Sequence, residues 1–136
     1  MRYGDMSKDR FTMMRYKIAK EMLDAKPTNR VLDIGCYDGY FLSTLDCDVY
    51  GFDIDQEALE VASARGIKIL PSLDTPFKFD AVVCMEMLEH LRNPEDMLLK
   101  IQKLLADNGR VIISLPNECN LWSRIRMLLG WGINDL

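Results

Sequence analysis

Five short runs of β-branched and apolar residues, at 31–34, 49–54, 67–70, 79–85 and 110–115, constrain this chain more than any other feature. Runs of that length bounded by turn residues read as strands, and most are separated by helical patterns. Strands that alternate with helices pack as a parallel sheet with helices on both faces, so the chain is expected to be an α/β protein. The first helix is expected over 7–26, where Phe11, Met14, Ile18, Met22 and Leu23 fall at helical spacing and Pro27, Thr28 and Asn29 end the run. Further helices read at 38–45 and 55–65, the second stopped by Gly66. The link 71–78 is too short for a full helix. The best-marked helix follows Asn93 as its cap, with Pro94, Glu95 and Asp96 in the first turn and Gly109 after its end, and a shorter helical piece lies over 85–91.

No repeat, low-complexity tract or linker interrupts the 136 residues, so one domain is expected over 1–136. With 49% apolar side chains it has material for one core. The net charge of −4, with both signs interspersed, does not make the basic face that a nucleic-acid backbone requires. No apolar run reaches the roughly 18 residues of a membrane span, and the opening MRYGDMSKDR has no signal-peptide core, so a cytoplasmic protein is expected. Cys36, Cys47, Cys84 and Cys119 never approach C-x-x-C spacing and read as reduced core thiols.

Chemistry concentrates in VLDIGCYDGYF, residues 31–41. In an open α/β sheet the ligand lies at the carboxyl ends of the strands, where the strand order reverses beside strand one. Gly35 allows a sharp turn there and Gly39 lets the following helix approach the strand. Asp33 and Asp38 narrow the ligand, because a close carboxylate repels a pyrophosphate by about 4 kcal/mol per charge pair at an effective dielectric near 20. A phosphate-free nucleoside bearing an ammonium and a sulfonium, S-adenosylmethionine, would be attracted instead. Asp38 also reads as a helix N-cap. Strand two ends in GFDID, which puts Asp53 at its tip, 18 residues beyond Gly35, where a carboxylate can accept from both ribose hydroxyls. Ile54 can lie against the adenine face, and Asp55 is placed to cap the next helix.

In order and spacing, VLDIGCYDGYF, GFDID and FDAVVCMEMLEHL resemble the class I, Rossmann-like methyltransferases that use S-adenosylmethionine. CMEMLEHLRNPEDML resembles the ubiquinone-biosynthesis O-methyltransferases, and GRVIISLPNECNLWSRIRMLLG also resembles methyltransferases linked to methionine biosynthesis. The resemblance covers roughly residues 29–130. It implies a doubly wound, mainly parallel sheet of order 3-2-1-4-5. It also implies that Asp33, Gly35 and Gly39 shape the methionine pocket, that Asp53 holds the ribose, and that Cys84, Met85 and Glu86 line the cofactor; Cys36 and Tyr37, between the two glycines, are further candidate cofactor contacts. Tyr37 departs from the pattern, standing where many members have glycine. Where members carry an aspartate after strand three for the adenine amino group, this chain offers only Ser72 and Asp74. The full fold adds strands 6 and 7, for which the chain has no matching runs, so a truncated or minimal version is expected.

Methyl transfer from a sulfonium needs in-line geometry, and a base only if the acceptor must lose a proton. His90, the sole histidine, is the candidate base, its bland reading being a polar rim residue. Glu86, Glu89 and His90 form E-x-x-E-H on an expected helical face, but no second histidine completes a divalent-metal site, and no metal is expected. Residues 117–131 are expected to form a C-terminal helix with Leu121, Trp122, Ile125, Leu128, Leu129 and Trp131 on its apolar face. Strand five would be an open edge, so a homodimer through that edge or the C-terminal helix is expected. The function expected is methyl transfer to a small-molecule acceptor, with a cofactor-binding module lacking activity as the alternative, and a nicotinamide-dependent reductase disfavoured by Asp33 and Asp38.

Overall fold

The computed structural model describes residues 9–117 together with Leu128. The chain begins with α1 (Arg10–Leu23), β1 (Arg30–Ile34), α2 (Tyr40–Ser43), β2 (Asp48–Phe52), α3 (Gln56–Ala64) and β3 (Lys68–Ile69). It continues through β4 (Phe79–Met85), a 3₁₀ turn (Leu88–His90), α4 (Pro94–Leu104) and β5 (Leu105–Ser114). The strands form one sheet of order β3-β2-β1-β4-β5, and every pairing is parallel. This is the expected doubly wound order, with β1 between β2 and β4.

Side chains alternate across a strand, so β1 feeds both core layers. Val31 joins Ala19, Leu23, Phe41, Leu42 and Ala62 under α1, α2 and α3. Leu32 and Ile34 face Phe79, Val82, Ile101 and Leu104 under α4. Asp9 caps α1 by accepting the Thr12 N–H at 2.8 Å, and Asp55 caps α3 by accepting the Ala58 N–H at 3.1 Å. Gly66, at φ +87, ends α3 as expected.

Three local expectations are corrected. The stripe Phe11, Met14, Ile18, Met22 on α1 is exposed, Phe11 at 77%, while Thr12, Ala19 and Leu23 are buried. Helix rotation is set by Tyr16, whose ring lies 5.2 Å from Phe41 and 6.2 Å from Tyr40, and by small residues that let α1 approach the sheet. Secondly, Gly109 does not stop α4: the helix ends at Leu104, Leu105 already pairs with Phe79, and Asn108, at φ +63, carries the irregularity before Ala81 pairs with Arg110. Asn93 sits at the N-cap position, yet its amide donates to the Asp96 carboxylate at 2.6 Å instead of capping. Thirdly, Glu86 is not helical but stands after β4 at φ +51. Apart from Asn117 and Leu128, the expected helix over 117–131 lies outside the described residues.

Gly39 serves a different neighbour from the one expected. A Cβ there would lie 2.9 Å from Ala62 and 2.9 Å from Ile67, so the residue lets the β1 loop close on α3 and the entry to β3, at φ +71. Gly39→Ala combines overpacking with a left-handed backbone and should lower stability by about 2 kcal/mol or more. Urea unfolding measures this, and an unchanged midpoint would contradict the packing described.

Candidate functional site

β1, β2 and β4 end side by side, and the loop after β1 is hooked over the end of β2. The Gly35 and Cys36 N–H groups both donate to the Phe52 carbonyl, at 2.8 and 3.2 Å, and the Tyr37 N–H donates to Asp53 Oδ2 at 2.8 Å. The loop bends because Gly35, Tyr37 and Gly39 are all left-handed, at φ +84, +49 and +71. Tyr37 thus adopts the conformation that glycine has without penalty, at a cost of about 1 kcal/mol, and the Asp53 hydrogen bond holds it there. Asp53 Oδ1 accepts the Asp55 N–H at 2.9 Å. Ile54 follows, 90% exposed, as an apolar surface at the strand tip.

The carboxylates of Asp33, in β1, and Asp38, in the loop after it, differ in kind. Asp38 is compensated: Oδ2 pairs with Arg65 at 2.9 Å and Oδ1 accepts the Tyr40 N–H at 3.1 Å, although the N-cap of α2 is Gly39 and not Asp38 as its helix-capping reading required. Arg65 also lies over the Tyr40 ring. Asp33, in the middle of the sheet, is 3% exposed, and its Oδ1 meets no hydrogen-bond partner among the described residues. Burial, with the Asp53 charge adding to it, pushes the Asp33 carboxyl up to about 7. A buried carboxylate oxygen without a donor is costly, and a cation or donor brought to it would remove that cost. Asp33 and Asp38 also raise the Tyr16 hydroxyl, which burial above all pushes up to about 12.

The remaining candidates divide between site and core. Cys36 Sγ packs against Gly51, where a Cβ would come within 2.6 Å, so only its backbone faces the loop. Cys84 points into the layer under α4 with Leu32 and Ile34, and burial pushes its thiol up to about 12. Met85 packs partly on the opposite layer. Ser72 is exposed and its hydroxyl accepts the Asp74 N–H at 3.0 Å within its own loop. Glu86 Oε1 accepts from Ser114 Oγ at 3.0 Å and lies 3.6 Å from Arg15 Nε. His90 is exposed, with Nε2 3.9 Å from Glu89 Oε1. Glu86 and Glu89 therefore have separate partners, and no group of three metal-ligating side chains comes together among the described residues.

Arg15, Met87 and Ser114 are not singled out by the sequence motifs. Met87 lies on the loop, its Cγ 3.2 Å from where a Gly35 Cβ would be. Only Ser114, a polar residue ending an apolar strand, had a readable signal.

Comparison with known proteins bears on the family and the fold. The family described as "Methyltransferase domain" matches residues 6–135. The ubiquinone biosynthesis O-methyltransferase of Proteus mirabilis (strain HI4320) is 32% identical over 124 residues, covering 80% of this chain and 51% of that protein. The chain spans about half the length of the curated relatives it matches. Among solved structures, a SAM-dependent methyltransferase of Thermotoga maritima, described as a possible histamine N-methyltransferase, superposes with a TM-score of 0.68 at 21% identity, over 85% of this chain and 56% of that one. A SAM-dependent methyltransferase of Thiobacillus denitrificans in complex with S-adenosyl-L-homocysteine superposes with a TM-score of 0.62 at 19% identity, over 74% of this chain and 47% of that one. At those identities the structures show the shared fold.

Asp33 generates a stability prediction. The unfolded carboxyl releases its proton near 3.8 and the folded one near 7, so the folded state binds the extra proton between them, and stability falls as pH rises through that window. The full penalty above pH 7 is on the order of 4 kcal/mol. Asp33→Asn removes the titration, so between about pH 5 and about pH 8 the ligand-free variant should lose several degrees less melting temperature than wild type. Parallel losses in the two proteins would exclude a buried, uncompensated Asp33.

Proposed function

We propose, from the premise that this chain belongs to the methyltransferase-domain family matching residues 6–135, that it transfers a methyl group from S-adenosylmethionine to a small-molecule acceptor. The unpartnered, buried Asp33 oxygen carries this reading. With Asp38 neutralised by Arg65, Asp33 is the carboxylate left to favour a cation, and it disfavours the phosphates of a dinucleotide. The residues present fit S-adenosylmethionine. Asp33 would face the ammonium end of the ligand, the left-handed backbone of Gly35 and Tyr37 would let the ligand approach closely, and Asp53 has lone pairs left for ribose hydroxyls beyond the two N–H groups it accepts. Ile54 offers an apolar face for the adenine.

When bound, the cofactor supplies an electrophilic methyl on a positively charged sulfur. The chain contributes mainly by holding the reactants in line at the end of β4 and excluding water. His90 stands just beyond that strand end and would accept the proton of an acceptor hydroxyl through its imidazole nitrogen, Glu89 lying within ion-pair reach of the ring. No metal is assigned to Glu86, Glu89 and His90.

We also propose self-association through the side of β5. The exposed α1 stripe, Phe11 to Met22, is linked to that side by Arg110, whose Nη1 donates to the Met22 carbonyl at 3.4 Å. A cytoplasmic enzyme is the accompanying expectation, and no described helix is long and apolar enough to cross a membrane.

Calorimetric titration with S-adenosylhomocysteine and with NADH tests the assignment. The expected result is binding of the first and not the second, with Asp53→Ala lowering affinity at least about 100-fold by removing charge-assisted hydrogen bonds. Below the Asp33 value of about 7, binding must displace a proton, so affinity should fall toward tenfold per pH unit on acidification and level off above it. Preference for NADH, or a flat pH profile, would count against the site as described. Product release across an acceptor panel separates the transferase from a module that binds without reacting. If the acceptor is a hydroxyl, His90→Ala should lower kcat by about 100-fold and leave the KM for S-adenosylmethionine in place.

A further inference from the structure

Glu86 leaves β4 at φ +51, a conformation that is strained for a residue with a side chain. Three contacts hold it. Its N–H donates to the Ser114 carbonyl at 3.1 Å, its Oε1 accepts from Ser114 Oγ at 3.0 Å, and Arg15 Nε lies 3.6 Å from the same Oε1. The two serine contacts come from the end of β5, whereas Arg15 arrives from α1. This left-handed turn sends the next residue, Met87, back onto the β1 loop, where its Cγ lies 3.2 Å from the position of a Gly35 Cβ. Arg15, Glu86, Met87 and Gly35 thus form a continuous line of contacts from α1 to the bend of the β1 loop. The neighbouring Tyr16 fixes α1 to the same end of the sheet by packing on Tyr40 and Phe41.

We infer that Arg15 is a positioning residue for the cofactor site: by pairing with Glu86 it makes the seating of α1 and the seating of Met87 over Gly35 one coupled equilibrium. By reciprocity, a ligand held in the β1 loop tightens α1 as much as a seated α1 tightens the ligand. The inference rests on the proposed binding of S-adenosylmethionine. Both partners of the ion pair are about a quarter exposed, at 28% and 26%, and a pair so exposed adds little to global stability. Its effect therefore appears in ligand affinity and in the protection of α1 rather than in melting temperature.

The test is titration of S-adenosylhomocysteine into wild type, Arg15→Gln, Arg15→Lys, Glu86→Gln and the Arg15→Gln/Glu86→Gln double variant, with hydrogen exchange of residues 10–23. Arg15→Gln and Glu86→Gln should each bind about fivefold more weakly, the double variant no more weakly than the worse single, and Arg15→Lys within about twofold of wild type. Ligand should slow exchange in α1 of wild type but not of Arg15→Gln. Arg110→Ala, which removes the contact at the far end of α1, should leave affinity unchanged. The inference is overturned if Arg15→Gln binds like wild type, if the two single losses multiply in the double variant, or if Arg110→Ala weakens binding equally. Failure of wild type itself to bind S-adenosylhomocysteine would strike the proposed function, an outcome distinct from wild type binding with Arg15→Gln unaffected.

Discussion

The hook of the β1 loop over the end of β2 is the constraint on which the rest of the site depends. Two successive N–H groups, Gly35 and Cys36, share the Phe52 carbonyl, and the next, Tyr37, takes the Asp53 carboxylate. The left-handed conformations of Gly35 and Tyr37 accompany this aiming of three consecutive donors at one strand end, and Gly39, also left-handed, turns its N–H back to the Cys36 carbonyl. The same hook packs Cys36 into the hollow above Gly51 and brings Gly39 onto α3. The β2 side of the site is thus held by main chain and one carboxylate.

Charge is distributed unevenly around that loop. Asp38 and Glu86 each have a basic partner, Arg65 and Arg15, brought from α3 and α1, and each Asp53 oxygen accepts one main-chain N–H. Asp33 has no donor at one oxygen among the described residues and lies deepest. A stability optimum would place an apolar side chain at that point of β1 between Gly51 and Val83. A site for a cation requires the reverse, and keeping a carboxyl poised near neutrality in the sheet is the stability cost of binding.

Much of this was legible in the residues themselves. The β-branched runs and the turn residues around them placed β1, β2 and β4 within two residues, because parallel strands buried on both faces are nearly continuous apolar runs. GFDID marked Asp53 and Asp55, and the second caps α3 as its spacing requires. The failures have physical causes. Phe11, Met14, Ile18 and Met22 looked like the buried stripe of α1 because they are its larger side chains, yet closeness to the sheet selected Thr12 and Ala19, with Tyr16 fixing the rotation. Asn108-Gly109 looked like a helix end but serves an irregular strand entry, since Leu105 had already paired with Phe79.

The order of apolar runs and glycines determined an α/β sheet, a bend after β1 and a carboxylate at the tip of β2, because each follows from short-range preferences of the backbone. Tertiary structure alone decided which acids stay charged and free. Arg65 reaches Asp38 across 27 residues, and Arg15 reaches Glu86 from a helix that precedes the sheet. Asp33 is left without a donor by its position between two strands. Those pairings depend on distances through space that no local spacing encodes, and they separate a neutralised acid such as Asp38 from one that a cation can still satisfy.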